Sequence, residues 1–158
     1  MRRAVPPPGR ALAGTLLWTA AMAASAALNL ALDHWATPAK IRVVALLFAA
    51  GAALAFAPAL FAARLLSLGR GGEVAFAAAF ACLLASTIGF TGLLFGLQYR
   101  LYYSDWHDPV STHLGLIEFV STIAAGAYQF LVLGVRLYFP FGFVALLLFS
   151  LWFARQAR

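Results

Sequence analysis

Negative charge is what this chain has least of: five acidic residues in 158, against eleven basic ones. Lysine is also nearly absent, since Lys40 is the single lysine and the other ten cations are arginines. A lone cysteine, Cys82, excludes an intrachain disulfide and any C-x-x-C redox pair, and its apolar neighbours suit a small packing residue. Catalytic serine motifs, glycine-rich phosphate loops and H-E-x-x-H are missing, as are paired acids within the apolar runs. No nucleophile–base–acid set is visible, and an intramembrane aspartyl mechanism has no carboxylate pair to work with. The expectation is therefore a non-enzyme.

What is present is hydrophobicity. Apolar residues make up 64% of the chain and charged ones 10%, with a mean hydropathy of +0.90. A soluble fold of this length, ordinarily one domain, leaves too much surface in water to hide that composition, so a bilayer is the fitting solvent. The net charge of +6 does not point to nucleic acid. Its arginines stand at the ends of apolar runs, where they anchor at headgroups, and form no stripe on one face. Arginine over lysine, with abundant Ala and Gly, is the composition of a GC-rich bacterial genome.

The expected architecture is an all-α integral membrane domain, residues 11–158, of four helices in two antiparallel hairpins, preceded by an Arg/Pro-rich cytoplasmic arm over 1–10. The spans fall at about 11–32, 41–63 and 74–97, with one within 114–154. Residues 1–26 also imitate a signal peptide, with Ala24-Ser25-Ala26 as a candidate cleavage site, but the apolar run continues to Leu32 and favours an uncleaved helix. Thr37-Pro38 and Asp108-Pro109 both read as an N-cap followed by proline at the first helical position. Pro58 should kink the second helix. The apolar stretch from Leu114 to Ala154 would be roughly 60 Å of helix against about 30 Å of hydrocarbon. It reads as one overlong last helix kinked near Pro140.

Counting basic residues by side gives the orientation. Arg2, Arg3, Arg10, Arg64, Arg70, Arg155 and Arg158 fall on one side, and Lys40, Arg42 and Arg100 on the other, with Arg136 left over. The positive-inside rule then places both termini in the cytoplasm of a bacterial inner-membrane protein. Tyr99, Tyr102, Tyr103 and Trp106 form an outer aromatic belt, and Trp152 anchors the inner one.

Three groups of residues are candidates for function. His34, His107 and His113 with Asp105 all fall on the outer side and could hold a divalent metal such as zinc, although their spacing matches no ligand motif. The bland alternative is a set of interfacial residues and no cofactor. Glu118, Thr122, Gln129 and Arg136 project within about 40° of one another on the last helix, as a polar stripe that serves an ion path, a partner subunit or only local hydrogen bonds. Ala85, Gly89, Gly92 and Gly96 lie within about 60° on the third helix and make a smooth packing face, used internally or by another chain. Trp18, Met22, Ser25 and Asn29 share a face of the first helix, where Asn29 is suited to bond across to another helix.

These features rank three functions. The first is a non-catalytic subunit or assembly partner, set in the lipid bilayer and packed against other membrane subunits or itself, without nucleic acid. The second is a metal-binding or small-solute/ion transport-related protein using the outer His/Asp cluster. The third, an enzyme acting on lipid or quinone, requires the polar stripe to line a cavity.

Overall fold

The computed structural model describes residues 8–33 and 36–156. Among them are five α-helices and no strand: α1 Pro8–Leu32, α2 Pro38–Ser67, α3 Gly72–Tyr102, α4 His113–Gln129 and α5 Phe141–Gln156. Four stretches are long and apolar enough to cross a membrane: Ala11–Leu32, Pro38–Ser67, Gly72–Tyr102 and His113–Tyr138. The Arg/Pro arm before Pro8, His34 and Trp35 lie outside the described residues.

Local chemistry sets the helix ends. Pro8 occupies the first position of α1, where a missing N–H costs nothing. Thr37 caps α2 from an extended conformation, its side-chain oxygen accepting from the Lys40 amide at 3.3 Å, with Pro38 following as the Thr-Pro pair predicts. α2 continues through Pro58 to Ser67. Glu73 in the first turn of α3 and Arg100 in its last both complement the helix dipole.

The last apolar stretch differs from the single overlong helix read from the sequence. It forms two α-helices, α4 and α5, joined by a π-turn over Phe130–Gly134 and a 3-10 turn over Val135–Tyr138, with a cis Phe139–Pro140 peptide bond. Pro140 lacks a donor and forces its predecessor out of the helical region, and Phe139 is accordingly extended at φ −95°, ψ 141°. The irregularity begins ten residues earlier, at Phe130, whose ring lies against Gly134.

α2 and α3 form the central pair, with α1 on α2, and α4 and α5 both on α3. Gly51 lets α2 and α3 approach so closely that a Cβ there would come 2.7 Å from the Thr91 Cα. Two apolar clusters fill the bundle. One joins Trp18, Phe56, Leu60, Leu83, Leu146 and Phe153 from α1, α2, α3 and α5. The other centres on Phe48, with Ala26, Leu30, Phe130 and Leu137 around it. At the first cluster's end Ala11, Arg64 and Gln156 line one small cleft, and Arg64, Arg70 and Gln156 line the next. The start of α1, the α2–α3 loop and the end of α5 thus gather together.

Candidate functional site

The segment from Gln98 to Glu118 holds two of the chain's three histidines and three of its five acids, and its folding decides what they do. α3 ends at Tyr102, Ser104–Trp106 form a 3-10 turn, and α4 begins at His113. Asp108 is not the cap of α4, as the Asp-Pro pair suggests. Thr112 takes that place, its hydroxyl oxygen accepting from the Gly115 amide at 3.0 Å. The physical reason is that residues 109–112 fold into a turn, Thr112 N–H to Pro109 C=O at 2.9 Å, which carries Pro109 over the first turn of α4. Gly115 permits it, because a Cβ there would collide with the Pro109 carbonyl.

The outer His/Asp set is scattered. His34 lies outside the described residues. Asp105 is exposed in the 3-10 turn, and His113 is exposed at the first position of α4. His107 is turned inward onto Arg100. Among the described residues, no three His, Cys, Asp or Glu side chains come together in a metal-binding group.

Arg100 is the residue the sequence reading passed over. Only 8% of it is exposed. Its Nη1 lies 3.1 Å from the His107 Nδ1, its guanidinium carbon lies 5.8 Å from the Phe119 ring centroid, and its Nε has no partner among the described residues. The same His107 Nδ1 lies 2.6 Å from the Tyr103 carbonyl oxygen. One ring nitrogen can accept from Arg100 or donate to Tyr103, and not both at once. Arg100 therefore ties the end of α3 to the following turn and to α4, through cation–π contact and one contested hydrogen bond.

The polar stripe divides into two pairs. Glu118 Oε2 accepts from the Asp108 backbone amide at 2.9 Å, pinning the turn to α4, and Thr122 donates back to the Glu118 carbonyl. Those two side chains are bound by local partners. Gln129 and Arg136 are exposed and line a groove of about 620 Å³. Its walls are α2 (Lys40, Val44, Leu47) and the α4–π segment (Gln129, Phe130, Leu133), its floor is α3 (Phe95, Gln98, Tyr99), and Asp33 closes the α1 end. Gln129 reaches the Tyr99 hydroxyl at 3.5 Å, a weak contact.

The small-residue line on α3 also divides. Gly92 receives the Phe130 ring, and Gly96 meets α4 at Ile123 and Gly126; a Cβ on Gly126 would lie 2.9 Å from the Gly96 Cα. Ala85 and Gly89 face outward, and a Cβ on Gly89 would meet nothing within 4 Å. Half the line joins helices within the chain, and half lies open.

The polar face of α1 does a specific job. Ser25 donates to the Leu137 carbonyl at 2.9 Å and accepts from the Gly142 amide at 3.2 Å. The Asn29 amide nitrogen lies 2.8 Å from the Ser25 carbonyl, 3.1 Å from that of Phe139 and 3.2 Å from that of Leu137. These groups satisfy the backbone that the α4–α5 interruption frees, as an apolar medium demands. Nearby, Tyr138 donates to the Thr91 hydroxyl at 2.8 Å and Trp18 to the Thr87 hydroxyl at 3.1 Å. The sequence signal was the shared face of Trp18, Ser25 and Asn29, which tells of a polar partner without naming it.

Comparison with protein-family models, with curated proteins and with solved structures finds no match to this chain.

Proposed function

We propose that this chain is a non-catalytic subunit of a larger membrane assembly in the bacterial inner membrane. It crosses the bilayer four times, as two antiparallel hairpins with both termini in the cytoplasm. The gathering of the α1 start, the Arg64–Arg70 loop and the α5 end at one pole supports that orientation, because the arginines there form the larger basic group.

The observation that carries the subunit reading is the open half of the α3 line. In lipid, helices associate through close van der Waals packing, for which small residues are needed at the contact. Gly92 and Gly96 illustrate this within the chain, since each is filled by a neighbouring side chain or helix. Ala85 and Gly89 continue the same line with the same approach surface and no occupant among the described residues. Another transmembrane helix, from a second subunit or a second copy, fits there.

A photo-crosslinking residue placed at Ala85 tests this in membranes from the native host. The expected result is a discrete crosslinked product with one protein, absent when the same residue is placed at lipid-facing Leu16 on α1. Crosslinks to lipid alone at both positions would overturn it.

A further inference from the structure

The groove between α2 and α4 has a chemistry that bare hydrocarbon does not satisfy. Lys40 lines it from one wall, Arg136 and Gln129 from the other, and Gln98 from the floor, among the apolar Val44, Leu47 and Leu133. The Asn29 amide contacts the Leu137 carbonyl, next in the chain to Arg136, and Asn29 is one turn before Asp33, so the Arg136 backbone lies about one turn inside the α1 end. That is within reach of the headgroup layer for a long arginine side chain. We infer that this groove is a binding site for a bilayer phospholipid whose headgroup carries one net negative charge, such as phosphatidylglycerol.

Charge decides the headgroup. Among the described residues the ionisable lining is Lys40, Arg136, Asp33 and the Tyr99 phenol, a formal net of one positive charge. A phosphodiester anion placed between Lys40 and Arg136 neutralises the groove. The uncharged hydroxyls of a glycerol headgroup can donate to the Asp33 carboxylate and bond to the amides of Gln98 and Gln129. A zwitterionic headgroup leaves the excess cation in place. The apolar lining, with Val44, Leu47, Phe95, Phe130 and Leu133, accepts one acyl chain. This site is separate from the Ala85–Gly89 face, so either reading can fail alone.

The test is lipid titration of the delipidated full chain in detergent, read by native mass spectrometry. Dioleoyl phosphatidylglycerol should form a one-lipid adduct at lower concentration than the phosphatidylethanolamine or phosphatidylcholine of the same chains. Removing one headgroup-facing cation costs about fivefold in affinity, so Lys40→Gln with Arg136→Gln should weaken the phosphatidylglycerol adduct about 25-fold. Arg70→Gln, at the opposite pole, should change nothing. Both groove cations are exposed, so the double variant retains the core. Leu133→Trp supplies the second arm: it fills the groove with all charges kept, and should remove the adduct. Equal titration by the three lipids would overturn the inference, as would an equal loss in Arg70→Gln or an undiminished adduct in Leu133→Trp.

Discussion

The two ends of the bundle contain similar residues and are closed to different degrees. At the pole where the start of α1 and the end of α5 gather, α1, α2, α3 and α5 enclose Trp18, Phe56, Leu60 and Phe153, and aromatic edges seal the contact: Phe149 lies 5.2 Å from Phe56 and 6.0 Å from Trp18 between ring centroids. At the other pole Phe48, Phe95, Phe130 and Tyr138 form an equally aromatic cluster, with Phe48 and Tyr138 centroids 4.6 Å apart. There α4 packs on α3 and leaves the wall of α2 uncovered. The difference comes from one structural choice, the interruption at 130–140. It lets α5 lie along α3 and α1 while α4 packs on α3, across the groove from α2. The lesson is that the polar residues of α1 act by licensing that interruption, and the groove follows from it.

The largest effect is expected at the closed pole: Phe56→Ala removes a fully buried ring and should cost about 3–5 kcal/mol in reversible unfolding from detergent. A cost below about 1 kcal/mol would mean that this pole is not closed as described. Gly96→Leu should cost about 1–3 kcal/mol, because a Cβ there already meets the Ile123 carbonyl oxygen at 2.7 Å. Its loss should be local, with hydrogen exchange rising in α4 and unchanged in α1 and α2; uniform exchange would erase the distinction between the poles. Ser25→Ala should cost about 1 kcal/mol, the scale of a hydrogen bond between membrane helices, with faster exchange at the Gly142 amide. Leu133→Ala, in the open groove wall, should change stability by less than about 0.5 kcal/mol.

Much of this organisation was legible before the structure. Three helices, the Thr37–Pro38 start and the impossibility of a single ordinary span over 114–154 all follow from run length and capping chemistry. The fifth helix was not legible, because Phe130–Tyr138 is apolar at nearly every position and so shows no periodicity that separates α, π and 3-10 turns. Asp108 and Thr112 carry equivalent cap signals, and only the collapse of Pro109 onto Gly115 selects the second. For the stripe, spacing placed Glu118, Thr122, Gln129 and Arg136 on one line. It could not separate the two bound by local partners from the two in the groove, since that depends on what α2 and the 103–112 turn cover. Arg100 was counted as an interfacial cation. Its burial depends on His107 and Phe119, which come from two other elements.

The subunit reading rests on the open half of the α3 line, and the most direct measurement is the mass of the intact particle released from native membranes in mild detergent. The chain itself is 16.9 kDa. The account predicts a defined larger assembly for the wild-type protein, and the lone chain for Gly89→Leu, which adds bulk where a Cβ meets open space and so leaves the fold intact. A wild-type particle at the mass of a single chain, or an assembly that Gly89→Leu leaves unchanged, would contradict it.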